Sequence, residues 1–178
     1  MILPIDKKFD RVIDRSLVRL LTPRGYHREG SQFYFHSERV GKLITIHREL
    51  DHPHYRQVAI FTLRVQVASD DFWAFYHPNE PNFFFPFPPH YPFTLYRHLG
   101  SFYGKRRGDQ WLSLDMLMPE EAMISYLRKL LSTRILPYLD GLNSIDNVLN
   151  AYENGRPSSS RMQLLAWLGR RVEAHRGS

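Results

Sequence analysis

Cysteine is absent from all 178 residues, which removes a disulfide framework, thiolate metal sites and a cysteine nucleophile together. Long apolar runs are missing too. No segment approaches the roughly 18 apolar residues that a membrane span requires. The opening MILPIDKKFDRV reaches Asp6 and Lys7 before a signal-peptide apolar region can form, so a cytosolic chain with no membrane contact is expected. Catalytic signatures are equally scarce: there is no HExxH pair and no GxSxG elbow. The Gly100 to Lys105 stretch is not a phosphate loop, because three residues rather than four separate Gly100 from Gly104, and Arg106 stands where Ser or Thr would bind magnesium. No nucleophile, base and orienting group can be named together, so no catalytic residues are assigned and no cofactor is expected.

The net charge of +6 is concentrated at one end. From Arg156 onward Arg156, Arg161, Arg170, Arg171 and Arg176 face Glu173 alone, a net of +4 that leaves +2 on the 155 residues before it. A nearly balanced body weakens any step from overall charge to nucleic acid, since electrostatic binding depends on a clustered patch.

The densest feature lies between Phe72 and Tyr96. Six prolines and eleven aromatic residues share those 25 positions, centred on NFFFPFPPHYPF. Prolines interrupt both helix and sheet ladders, while Phe83, Phe84, Phe85 and Phe87 carry too much apolar surface for a loose chain in water. A long ordered loop is expected, and loops of that length are often functional. Two PxxP spacings, Pro86 to Pro89 and Pro89 to Pro92, suit an aromatic-lined groove, although no basic residue between Asp71 and Arg97 would orient such a ligand. The plainer alternative packs these phenylalanines on the protein's own sheet.

Elsewhere the periodicity is readable. Phe9, Val12, Ile13, Leu17 and Leu20 recur at helical spacing over Asp6 to Leu21, with Asp6 as the expected N-cap and Pro23 and Gly25 as the stop. The period then changes to two. Tyr26 to Glu29, Gln32 to His36, Lys42 to Leu50 and Arg56 to Ala68 read as strands. In the last of these Phe61, Leu63, Val65 and Val67 face a core, and Thr62, Arg64 and Gln66 face water. Leu95 to Tyr103 and Trp111 to Leu114 suggest further short strands. Pro119, Glu120 and Glu121 begin a helix with Met123, Leu127, Leu130 and Leu131 as its buried stripe, and Ile135-Leu136-Pro137 stops or bends it. Ser144 caps another helix to Tyr152. The order predicts an α+β fold: an antiparallel sheet of about four to six strands, helices on one face, and a C-terminal helix. The domain is expected over residues 1–153, a linker over 154–160 and a basic helix over 161–178.

Several of these pieces together carry a likeness. RGYHREGSQFYF at Arg24 to Phe35, the two strands after it, YRHLG at Tyr96 to Gly100, Trp111, and ILPYLD at Ile135 to Asp140 resemble, in order and spacing, the bacterial family catalogued as domain of unknown function 4304. The similarity covers roughly Asp6 to Asn150. It implies an α+β domain with no established activity and supplies no catalytic residues. The aromatic-proline insertion and the basic C-terminal helix depart from the family pattern.

Two polar clusters have competing readings. His47, Glu49, Asp51, His52 and His54 have ligand chemistry, but ligands so close in sequence do not readily close a tetrahedron, so a polar hairpin tip is expected and no metal. Lys105, Arg106 and Arg107, with Arg97 nearby, form either a solvated turn or a basic patch for an acidic partner or a phosphate backbone. The leading expectation is a non-enzymatic protein-binding domain, immunity or antitoxin-like with a toxin as partner. Its contact residues would be Phe83, Phe84, Phe85, Phe87, Arg97, Lys105, Arg106 and Arg107. Nucleic-acid binding through the basic loop and tail is the alternative, and an enzyme of unassigned reaction the third. The tail helix is too short to persist alone in water, so Met162, Leu165, Leu168 and Val172 are expected to dock on protein. Truncation after Asn154 should therefore lower the melting temperature; unchanged stability with loss of salt-sensitive nucleic-acid binding would favour the alternative.

Overall fold

The structure is a computed structural model that describes residues 4–37, 39–50, 54, 57–70, 95–104 and 110–153. The aromatic-proline segment, the basic loop Lys105 to Arg107, Asp51, His52 and the chain from 154 onward lie outside the described residues.

The first helical pattern forms α1, Pro4–Ile13, and continues through a π-helical turn, Asp14–Val18, into α2, Arg19–Leu21, and a 3-10 turn, Thr22–Arg24. Asp6 is not the N-cap. It lies inside the first turn of α1, and its carboxylate pairs with Arg48, with Nη2 2.7 Å from Oδ1. The π turn widens the helix where Ser16, fully buried, donates its hydroxyl back to the Val12 carbonyl at 2.6 Å. Gly25 ends the run at φ 84°. A side chain there would be strained, and its Cβ would also stand 3.2 Å from the Phe35 ring.

The sheet has six strands, all pairing antiparallel: β1 His27–Glu29, β2 Gln32–Ser37, β3 Val40–Glu49, β4 Val58–Ser69, β5 Leu95–His98 and β6 Leu112–Asp115. Strands β1 to β4 form a meander, and β4 pairs with β3 from Val40↔Ser69 to Glu49↔Ile60. The far edge of β4 is divided, with β6 on Val58 to Phe61 and β5 on Arg64 to Val67. At the division Thr62 donates its hydroxyl to the Gln110 carbonyl at 3.0 Å. The fold is therefore α+β, as the element order predicts.

Helix α3, Glu120–Leu130, runs through a second π turn, Leu131–Ile135, into α4, Leu136–Asp140, and α5 is Ile145–Glu153. Of the two outcomes expected at Ile135-Leu136-Pro137, a stop or a bend, the stop does not occur: the π turn passes directly into α4, with Pro137 in its first positions. Ser144 caps α5 as expected, accepting from the Asn147 N–H at 3.2 Å. The core joins Phe9, Val12 and Leu17, the α3 stripe Met123, Leu127, Leu130 and Leu131, and one face of the sheet, where Phe61, Leu63, Val65 and Val67 are buried. Phe9 meets Phe61 edge-on at 5.0 Å. The opposite face departs from the sequence expectation: Thr62 is fully buried and Gln66 is 2% exposed. Gln66 is flanked by Leu43 on β3, itself fully buried, and by Tyr96 on β5, neighbours that alternation within one strand does not reveal.

One buried cation ties the helix layer to the sheet edge. Lys8 is 5% exposed and donates to the carbonyls of Asp115, Met116 and Met118 at 2.8, 2.9 and 2.5 Å. An ammonium has three donors, and all three are satisfied. Asp115 completes the loop by accepting from the N–H groups of Leu117 and Met118 at 2.8 and 2.7 Å. Lys8→Met strips three carbonyls of their donor and should cost about 3 kcal/mol by chemical denaturation, while exposed Lys7→Met should stay within about 0.5 kcal/mol. In the same assay Phe61→Ala should cost about 3 to 5 kcal/mol. Gln66→Ala should cost more than about 1 kcal/mol, because the lost group is buried.

Candidate functional site

One cross-strand row on the helix-facing side of the sheet runs Arg28, Phe33, Ile44, Val65, Arg97. Its apolar centre is core and its two ends are arginines. Three other cations or cation ends on this face have a fixed acceptor close by. Arg28 Nη1 pairs with Asp14 at 2.5 Å, Lys42 Nζ donates to Asn143 Oδ1 at 2.6 Å, and Arg48 pairs with Asp6. Arg97 differs. Among the described residues no carboxylate pairs with it, and its guanidinium lies over rings, 4.4 Å from the Tyr138 centroid and 5.8 Å from that of Phe102.

The rings come from elements brought together by the divided edge of β4. After β5 the chain enters a 3-10 turn, Leu99–Tyr103, fixed by Ser101 Oγ donating to the His98 carbonyl at 2.7 Å and ended by Gly104 at φ 75°. This turn sets Phe102 edge-on to Tyr138 of α4, 5.6 Å between centroids. Arg134, in the second π turn, lies 4.8 Å over the Tyr103 ring and donates to the Phe102 carbonyl. The Tyr103 and Tyr126 hydroxyls are hydrogen-bonded to each other. Arg97 and Arg134 are exposed, Phe102, Tyr103 and Tyr138 are half-buried, and Tyr126 is exposed. The result is a surface cluster of two guanidinium groups lying over three aromatic rings, with Tyr126 hydrogen-bonded to one of them.

Of the eight contact residues expected from sequence, Arg97 is placed in this cluster. Phe83, Phe84, Phe85, Phe87, Lys105, Arg106 and Arg107 lie outside the described residues. Arg134, Tyr138, Tyr103 and Tyr126 escaped the sequence reading. Tyr126 had a usable signal, since it is an aromatic residue off the buried stripe of α3. Tyr138 was concealed in ILPYLD, a stretch that reads as structural.

Among the described residues no three metal-ligating side chains gather. His47 instead packs its ring 5.8 Å from Trp111, and His36 Nε2 lies 2.9 Å from Asp70 Oδ1. No protein-family model, curated protein or solved structure matches this chain.

Burial raises three phenols. Tyr103 is pushed up by desolvation and by its bond to Tyr126, against the opposing charge of Arg134. Tyr138 is raised by burial against Arg97, and Tyr26 by burial and the nearby Asp140 carboxylate against Arg24. A raised folded-state pKa favours the folded protein fully below the ordinary phenol value of 10.0, and that stabilisation is lost as pH rises through the folded-state values. The melting temperature should fall as the pH rises above about 10, and fall less for Tyr26→Phe and Tyr103→Phe than for the parent. An identical fall in parent and variants would show that these phenols are not the cause.

Proposed function

We propose that this domain is a non-enzymatic protein-binding module of immunity or antitoxin type, acting in the cytosol, and that the Arg97–Arg134 cluster is the centre of its contact surface. The observation that carries the reading is Arg97 itself: an exposed guanidinium stacked on Tyr138 with no carboxylate against it among the described residues. Arginine and tyrosine dominate interface hot spots, and a guanidinium already fixed on a ring loses little freedom when a carboxylate arrives. The partner surface is therefore acidic, with room for an aromatic edge. Lys105, Arg106 and Arg107 follow this cluster in the chain and Phe83 to Phe87 precede it, which makes both segments natural extensions of the same contact. Membership of the family of unknown function 4304 belongs to the same proposal and rests on the order of segments from Arg24 to Asp140.

Nucleic-acid binding is the second reading, since bases stack on exposed aromatics and phosphates pair with arginine. The two separate by salt and by partner. If a toxin gene neighbours this one, its product is the partner to titrate by calorimetry. Arg97→Ala and Arg134→Ala should each weaken that binding by about tenfold or more while Lys129→Ala does not. Undiminished affinity in the folded double arginine variant would sink the assignment of this surface. Tight binding of single-stranded oligonucleotides that collapses with added salt would transfer the cluster to the second reading.

A further inference from the structure

A 380 Å³ groove lies between α1, the turn joining β1 to β2, and the end of β3. Along the row that starts at Arg28 it is four strand spacings, about 19 Å, from Arg97. Phe9, Ile13 and Ile46, all buried, give it an apolar lining, and Leu50, 63% exposed, carries that lining outward. The charges around it follow helical spacing. Asp6, Asp10 and Asp14 recur every four residues, which puts three carboxylates on one face of α1 and of the π turn that continues it. Arg48 of β3 takes Asp6, and Arg28 of β1 takes Asp14. Asp10, between them, lines the groove and is exposed. Among the described residues no cation pairs with it: Arg11 beside it is committed to Glu120, and Lys8 to the carbonyls of Asp115, Met116 and Met118. Three carboxylates thus face two guanidinium groups, and the uncompensated one stands against apolar surface.

We propose that this groove is a binding site for a basic side chain of a protein partner, an arginine or lysine flanked by apolar residues. The two cations already present show what the third does. Arg48 and Arg28 each reach from the sheet to an aspartate of the helix, and the partner's cation completes the ladder at Asp10. Its carbon stem lies on Ile13 and Ile46, since long basic side chains cover apolar surface while the charged end finds its counter-ion. An apolar neighbour of that residue covers Leu50. This is why a peptide fits better than a free amine, which leaves Leu50 in water. Acidic ligands are refused, because both guanidinium groups at the groove are already paired and Asp10 repels them. A pocket with apolar walls and one placed charge has the make-up of a specific site. The domain therefore presents opposite preferences at opposite edges of one sheet, for acid at Arg97 and for base at Asp10.

The test is a titration of the full, isotope-labelled chain with the peptide acetyl-Leu-Arg-Leu-amide, followed through the backbone amide signals by NMR. Signals of Gly30, Ser31, Leu50 and α1 should move, and those of Arg97 and Arg134 should not. Asp10→Asn, an isosteric change at an exposed position, should weaken the peptide by about tenfold or more with an unchanged melting temperature. Acetyl-Leu-Gln-Leu-amide should bind the parent about as weakly as the arginine peptide binds that variant. Groove signals that stay still at millimolar peptide overturn the proposal, as does equal affinity of the arginine peptide for parent and Asp10→Asn. Butylammonium binding as tightly as the peptide overturns the choice of a protein partner. An Asp10→Asn change that by itself moves the signals of residues 156–178 shows the chain's own basic tail to be the occupant, and overturns that choice equally.

Discussion

The structure depends on β4. It is the longest strand, its inner edge is occupied by β3 over ten residue pairs, and its outer edge is split between β6 and β5. The core is built against it: Phe9 rests on Phe61, and Val65 lies in the row that ends in Arg97. Splitting one edge between two short strands also forces the chain to leave and rejoin the sheet near Thr62. The 3-10 turn with Phe102 and Tyr103 belongs to that excursion. The position of the proposed contact surface is thus a consequence of how hydrogen-bonding capacity along one strand is shared.

A second regularity concerns the margins of the helix-facing side. Arg28 lies 5.6 Å over Phe33, Lys42 5.6 Å over Phe35, Arg48 5.1 Å over Phe9 and Arg97 4.4 Å over Tyr138. Each cation closes the core by laying its charged end over the face of a ring. For Lys42 the burial involved is enough to hold its ammonium below the ordinary lysine value, against the opposing pull of Asp140. The core is sealed by charge on aromatic faces rather than by a complete apolar rim.

This arrangement explains what the sequence disclosed and what it withheld. Strand alternation in β4 correctly identified Phe61, Leu63, Val65 and Val67 as core, because each of those positions is decided by one face of one strand. Gln66 and Thr62 were misassigned because their burial depends on strands that pair from far away in sequence. Asp6 read as a cap because a short acidic residue before an apolar helix usually is one; its bond to Arg48, 42 residues later, is tertiary. Arg97 stood out as a basic residue, but its stacking on Tyr138 required a β-strand, a 3-10 turn and a π turn to converge. Local chemistry was legible, whereas the site is made of convergence.

The two π turns carry an implication for how this chain tolerates change in length. Each, Asp14–Val18 and Leu131–Ile135, interrupts a helix that α-helical geometry would otherwise continue, and each widens one turn by a residue. The turns face one another's helices: Arg128 of α3 donates both Nε and Nη2 to the Arg15 carbonyl, at 3.1 and 2.7 Å. Removing one residue from the second turn would restore a regular helix and leave the residues after it facing nearly as before, because the wide turn has already absorbed the extra residue. Insertions and deletions in helices are ordinarily judged as rotations of all that follows; at these two turns the chain has room to lose a residue and keep its faces.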